Sequence, residues 1–334
     1  MDTVRIGIIG TGSVAQVTHL PILSRLPDVD LAGICDVDEK KVRSIAARFG
    51  IRKIETDYRA FLEDDSLDAI IIATPTDMHA PIGKAALEAG KSVLIEKPIA
   101  RTSAEAQALA DAAKRSGKLL MVGMNHRFRQ DITTLKNFIA NGELGNIFYV
   151  RAGWLNFQSS TQKWMRNAEK SGGGVFIDLG IVMVDLGLWL LNFPKAQSVS
   201  STLYHHKTRD VEDTACTFIR LQHDITLSID VSWTATVEEN NYYCDIIGTK
   251  GSARINPLRI HKLMAGNPVN VTPVLGESSI NYFKSSYEHE LKHFIGAVRG
   301  LYPGISTGEE AVQRMKLVEA VYQSASKRKE IILK

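Results

Sequence analysis

The chain has 334 residues, 44% hydrophobic content and a formal net charge of +3. That length suits about two domains with a well-filled core, and the small charge, with its densest basic run at Lys327-Arg328-Lys329, argues against a nucleic-acid partner. The three cysteines, Cys35, Cys216 and Cys244, are far apart and lack metal-ligand spacing, so no metal site and a reducing, cytoplasmic setting are expected.

Met1-Asp2-Thr3-Val4-Arg5 enters an apolar segment directly, without the basic and apolar regions of a leader peptide. Residues 4–9 form the first predicted strand. Gly10-Thr11-Gly12-Ser13-Val14-Ala15 follows as G-x-G-x-x-A. Gly10 permits a tight turn, Gly12 lets backbone approach a pyrophosphate, and small Ala15 lets the next helix sit close to its strand. The helix start offers free N–H groups and a positive dipole end to phosphates. A second strand over 31–35 ends in Asp36, 24 residues past Gly12. An acid there takes the adenosine ribose hydroxyls; the alternative is a strand-end Asp that caps the next helix. Asp38 follows and no arginine adjoins, so NAD is favoured over NADP unless Lys40 or Lys41 reaches back.

A third strand, 68–73, apolar after Asp68, leads into Thr74-Pro75-Thr76-Asp77-Met78-His79 and a helix from about 81 to 89. His79 either caps that helix or touches the cofactor. Val93-Leu94-Ile95 reads as a buried parallel strand whose tip carries Glu96-Lys97-Pro98. Ligands of open α/β sheets bind beyond the carboxyl ends of the strands, which places Lys97 where cofactor and substrate would meet. The alternative is a solvated loop lysine before a turn proline. A helix over 103–116 and a strand over 119–123 complete an alternation that predicts a doubly wound parallel sheet.

The pattern then changes. After a helix over 131–140, strands are predicted at 147–155, 197–205, 213–222, 225–234, 241–247, 252–255 and 258–264, making a mostly antiparallel open sheet. Two helices, 285–299 and 307–326, close the chain. The longest apolar stretch, Val175–Leu191, contains Asp178 and Asp185, each of which would cost about 2.5–3.5 kcal/mol at a bilayer centre, so a buried helix is expected rather than a membrane span. Asp178, Val182 and Asp185 fall at i, i+4 and i+7, on one helical face. Two carboxylates on an apolar helix need partners. Asp185 is expected to bond backbone N–H groups or arginines of its own domain, and Asp178, nearer the helix start, to serve a site. The fold class expected is α/β, with a dinucleotide-binding domain over 1–124 and an α+β domain over 125–334.

These features together resemble the Gfo/Idh/MocA oxidoreductases. The resemblance spans Gly10–Ala15, Ala73–His79, Glu96-Lys97-Pro98, Gly123–Phe128, Gly172–Asp185 and the Gly248-Thr-Lys-Gly251 turn. It implies an N-terminal Rossmann domain and an oxidoreductase that uses NAD, or less favourably NADP, on a sugar- or cyclitol-like alcohol or ketone, as a homo-oligomer. It implies cofactor contacts from Gly10, Thr11, Gly12, Ser13, Val14, Ala15, Asp36, Thr74, Pro75, Thr76, His79, Glu96, Lys97 and Asn125. Lys97 would stabilise a developing alkoxide, Asp178 would be its catalytic companion, and Arg127, Trp164, Asp178 and Val182 would line the substrate cleft. One departure stands out. The family pattern Asp-x-Gly-x-His reads here Asp178-Leu179-Gly180-Ile181-Val182, and valine carries no proton. A non-catalytic dinucleotide-bound sensor or repressor, and an enzyme that uses NAD transiently for glycoside cleavage, are the two alternatives this departure raises.

Overall fold

The computed structural model describes residues 3–157, 159, 162–275 and 282–333; Met1 and Asp2, read from the sequence as leading into the first strand, lie outside them. The chain divides by its contacts into two units. One comprises Met1–Asn125, Lys170–Gly172 and Phe283–Gln313, and the other His126–Glu169, Gly173–Tyr282 and Arg314–Lys334.

The first unit holds six parallel strands: β1 (Val4–Ile9), β2 (Val29–Cys35), β3 (Lys53–Glu55), β4 (Ala69–Ile72), β5 (Ser92–Glu96) and β6 (Leu120–Gly123). Their order is β3-β2-β1-β4-β5-β6, with the direction of winding reversing between β1 and β4. Every residue of β4 and β5 is buried, as expected for apolar strands covered on both faces. The flanking helices have clear local causes. Asp38 caps Glu39–Phe49 by accepting from Lys41 N at 3.0 Å, and Thr102 caps Ser103–Ser116 by accepting from Glu105 N at 3.1 Å. Gly50 and Gly117 end these helices in the left-handed region.

The helix predicted after Gly10–Ala15 forms, with a wide first turn. Ala15–His19 is π-helical and Leu20–Leu23 α-helical, with Leu20 N donating to Ala15 O. Pro21 has no N–H to return to Val17, which favours the wider spacing.

The division by contacts differs from the cut after residue 124 expected from the sequence. Ser306 O accepts from Val122 N at 2.9 Å, and Thr307 forms a bridge with Met121. β6 is the sheet's edge strand, and this late segment satisfies its exposed backbone groups. The helix Tyr282–Val298 begins at the division, and from Phe283 on it belongs to the same unit.

The second unit holds a nine-stranded sheet: β7 (Ile147–Leu155), β8 (Ala196–Tyr204), β9 (Thr214–Leu221), β10 (Ile225–Ser232), β11 (Asn241–Gly248), β12 (Gly251–Ile255), β13 (Arg259–Met264), β14 (Asn267–Asn270) and β15 (Ile331–Ile332). Its order is β14-β13-β12-β11-β7-β10-β9-β8-β15, with β7 and β10 parallel and the other neighbours antiparallel. Leu227, Ile229 and Val231 of β10 point inward, and Gly187 of the helix Ile181–Leu190 packs on the Leu227 side chain. Of that helix only Trp189 is not buried, so the apolar stretch is a core helix, as expected.

Cys35 and Cys244 are 3% and 0% exposed, and burial, the largest cause, pushes both thiols up to about 12. Alkylation of the folded protein at neutral pH is therefore expected to spare both and to reach them only after denaturation, as read by intact mass. Labelling of either at the rate of a free thiol would show that its strand opens.

Candidate functional site

The residues expected to hold a dinucleotide converge at the carboxyl ends of β1, β2, β4, β5 and β6. Gly10 takes φ +93°, and a Cβ there would lie 2.5 Å from the Ala73 carbonyl carbon and oxygen, so no other residue fits the turn. Its N–H bonds Cys35 O at 2.8 Å, which ties the loop to β2. Gly12 is different: a Cβ there would find its nearest atom, Ala73 O, only at 3.8 Å. The space a side chain would fill is open, as close approach of a pyrophosphate requires. Ser13 is exposed and Val14 half-buried, while Ala15 is buried where the helix meets the sheet.

Asp36 is buried, and its Oδ2 accepts from Thr11 N at 2.9 Å and Thr11 Oγ1 at 2.8 Å. Its Oδ1 accepts from Asp38 N at 3.1 Å, and Lys41 Nζ lies 2.7 Å from Oδ2. Burial works against the Asp36 charge, but the Lys41 ammonium and the Thr11 and Asp38 donors overcome it and hold the carboxyl below its ordinary value. Lys41 thus reaches back to the acid, the possibility that the NAD-over-NADP expectation left open.

After β4, Thr74 and Pro75 are half-buried and Thr76 is buried. The side-chain oxygens Thr74 Oγ1 and Asp77 Oδ1 are buried without a hydrogen-bond partner among the described residues. Buried polar atoms of that kind need a partner, and a bound dinucleotide would supply one. His79 is buried, with Nδ1 2.7 Å from Pro98 O and Nε2 2.9 Å from Thr74 O. It joins the loop after β4 to the loop after β5, a structural link beside the residues expected to meet the cofactor. Burial holds its pKa below the ordinary value although both carbonyls favour the charged ring.

At the tip of β5, Glu96 is buried and its Oε1 lies 2.9 Å from His19 Nε2 in the helix that follows Gly10–Ala15. Lys97 is half-buried immediately beyond it. Asn125, after β6, donates to Ser286 Oγ at 2.9 Å. Glu96 therefore ties the end of β5 to the helix after Gly10–Ala15.

In the second unit, Gly173 and Gly174 lead into Phe176–Gly180, a π turn, and then Ile181–Leu190. A Cβ on Gly174 would lie 1.9 Å from Glu212 O, so the close backbone approach that its glycines allow is made by the chain itself. The Glu212 carboxylate accepts from Gly174 N at 3.0 Å, Phe176 N at 2.8 Å and Tyr322 OH at 2.9 Å. Burial raises its pKa despite those bonds. Asp178 is half-buried, and its Oδ2 accepts from Trp233 Nε1 at 2.9 Å. Val182 is 6% exposed.

Asp178 and Asp185 take separate partners, in line with the separate roles expected of them. Asp185 Oδ2 accepts from Arg127 Nε at 2.9 Å and Oδ1 from Arg314 at 2.7 Å. The π turn at Asp178 breaks the regular 3.6-residue spacing on which the shared face relied. Asp185 accordingly has the arginine partners expected of it. Arg127, expected to line a cleft, is 2% exposed and commits its guanidinium to Asp185. Trp164 is half-buried in the turn Lys163–Arg166, with Nε1 donating to Gln162 Oε1 at 2.8 Å. Sequence reasoning missed Glu212, Trp233, Arg314 and His19. The first three lie far along the chain from their partners and belong to no local motif. His19, four residues past Ala15, could have been found from the need of buried Glu96 for a donor.

The N-terminal profile of an oxidoreductase family, described as an NAD-binding Rossmann fold, matches residues 4–124, and its C-terminal alpha/beta domain matches 136–333. The chain belongs to the Gfo/Idh/MocA oxidoreductase family. It is 28% identical to D-glucoside 3-dehydrogenase of Escherichia coli (strain K12), over 96% of this chain and 95% of that one. It is 26% identical to myo-inositol 2-dehydrogenase of Thermotoga maritima, over 98% of both. The crystal structure of GenD2 from gentamicin A biosynthesis, in complex with NAD, is similar with a TM-score of 0.87 and 27% identity, covering 100% of this chain and 97% of that one.

Proposed function

We propose that this chain is a cytoplasmic NAD-dependent oxidoreductase that interconverts an alcohol and a ketone on a sugar- or cyclitol-like substrate. The observation that carries the reading is the open space above Gly12, flanked at neighbouring strand ends by Asp36, the unpartnered Thr74 and Asp77 oxygens, and Lys97. A bound NAD accepts or supplies the hydride at the nicotinamide ring. The chain's own residues do the rest. The backbone of Gly10–Ala15 holds the pyrophosphate, with Thr11 bracing Asp36 for the adenosine ribose. Thr74–Thr76 and Asn125 bind nearer the reacting end, with His79 fixing the loop that carries Thr74 and Ser286 holding Asn125. Lys97 donates to the substrate oxygen and stabilises it as negative charge develops. Asp178, held by Trp233, tunes the charge at that oxygen. Trp164 and the apolar wall at Val182 contact substrate.

Incubating purified protein with NAD and a panel of polyols, and following NADH absorbance, tests this. Substrate-dependent NADH is the expected result. Binding without turnover on any substrate would favour the sensor or repressor, a reading to which apolar Val182 lends support. A cleaved glycoside with no net NADH would favour transient use of the cofactor.

Calorimetric titration is expected to show tighter binding of NAD than NADP, because Asp36 and Asp38 meet the 2′-phosphate. Equal affinities, or tighter NADP, would show that Lys40 or Lys41 offsets the two carboxylates by more than expected.

The same reading makes the protein a homo-oligomer. The outer face of the nine-stranded sheet carries Tyr149, Phe218, Tyr243 and Ile247 among Arg151, Asp245 and Arg254, with Phe218 45% and Ile247 38% exposed. A mixed apolar and charged face of that kind suits a second copy of the chain. Light scattering at micromolar concentration is expected to give at least a dimer mass; a monomer mass would count against it.

A further inference from the structure

We propose that Lys41 is a cofactor-selecting residue: by neutralising Asp36 it lets this chain admit NADP as a second, weaker cofactor beside NAD. This rests on the reading of Asp36 as the adenosine-ribose acid. Among the donors that the described residues bring to that carboxylate, one, Lys41, is charged and stands on a long, partly exposed stem. Thr11 N, Thr11 Oγ1 and Asp38 N are fixed by the loops that carry them. Lys41 brings its ammonium to 2.7 Å on a flexible stem, and its side chain is 37% exposed while that of Asp36 is 8% exposed. Its backbone is pinned by the Asp38 cap at 3.0 Å, so the base of the stem is stationary and only the head swings.

The charge balance follows. With NAD, the ribose hydroxyls need an acceptor. Asp36 Oδ1 has one donor, Asp38 N, so it retains acceptor capacity while Lys41 stays on Oδ2. With NADP, a 2′-phosphate would otherwise face Asp36 and Asp38 alone. Lys41 then offsets Asp36 and offers its remaining N–H groups to the phosphate. Lys40, though adjacent in sequence, is exposed and makes no ion pair with Asp36. The two lysines are therefore unequal, a distinction the sequence could not make.

Binding measurements on the purified protein decide it. NADH and NADPH are titrated, by nicotinamide fluorescence, against the wild type, Lys41→Met, Lys40→Met and Asp36→Asn. Lys41→Met is expected to weaken NADPH by at least about tenfold while NADH changes by less than about threefold. Lys40→Met is expected to leave the NADH to NADPH ratio unaltered. Asp36→Asn is expected to weaken NADH and to leave NADPH no weaker, since the carboxylate that repels the 2′-phosphate is gone. NADPH binding by the wild type too weak to titrate, or an unchanged NADH to NADPH ratio in Lys41→Met, overturns the proposal and leaves Asp36 as ribose acid intact. Binding of neither dinucleotide by the wild type overturns the dinucleotide reading together with it.

Discussion

Replacing Lys97 by methionine is expected to lower kcat by at least about a thousandfold, because both charge stabilisation at the reacting oxygen and a proton route are removed. Methionine keeps much of the apolar stem and drops only the ammonium. Glu96 would still be held by His19, and Thr11 would still brace Asp36, so dinucleotide affinity is expected to change by less than about threefold. His126 and Tyr287 are the other side chains weighed as proton carriers, and both are poorly disposed. His126 is buried with Nδ1 2.9 Å from Tyr242 OH. Tyr287 is raised well above its ordinary value, first by burial and then by the Glu96 and Glu290 charges, so it does not ionise near neutral pH. Val182→His is expected to shift the pH–rate profile without being needed for turnover. Steady-state kinetics across pH for the wild type and both variants is the measurement. Near-normal turnover in Lys97→Met would take Lys97 out of the mechanism.

Local signals carried much of this structure and long-range ones did not. Gly10–Ala15 and the apolar run before Glu96 each act within a few residues, so the parallel sheet and its ligand-facing end could be read directly. The alternation from Thr226 to Trp233, in β10, likewise gives one apolar face. The cap at Asp38 was not read, Asp36 having been the capping alternative. The short strands β3, β14 and β15 escaped, since two to four residues are too few to display a period of two. The π turns at Ala15–His19 and Phe176–Gly180 also escaped, and the second one spoiled the expected face of Asp178, Val182 and Asp185. Arg127 shows the remaining difficulty. The resemblance implies a cleft role for it, while its bond to Asp185 spans 58 residues, and only the folded chain shows that pairing.

Replacing Asp185 by alanine is expected to destabilise the protein by about 3–5 kcal/mol, because it leaves two buried guanidiniums without their shared counter-charge. Arg127 and Arg314 are 2% and 0% exposed, and Asp185 itself is 1% exposed. Against a typical total stability of about 5–15 kcal/mol, that loss leaves little margin, and urea denaturation should show a markedly lower midpoint. Burial alone would raise the Asp185 pKa, but Arg127 and then Arg314 overcome this and place the carboxyl below its ordinary value. The sign for pH follows. A lowered value in the folded state means the unfolded chain takes up the proton first, so the stabilisation is present at neutral pH and is lost as pH falls below about 4. A buried ion triad need not exceed an apolar one in net stability, however. The triple variant Asp185→Leu, Arg127→Met, Arg314→Met removes all three charges together, and is expected to recover most of what Asp185→Ala loses. Recovery would locate the penalty in the stranded guanidiniums. A single-variant loss below about 1 kcal/mol would show instead that solvent or another carboxylate reaches the two arginines when Asp185 is gone.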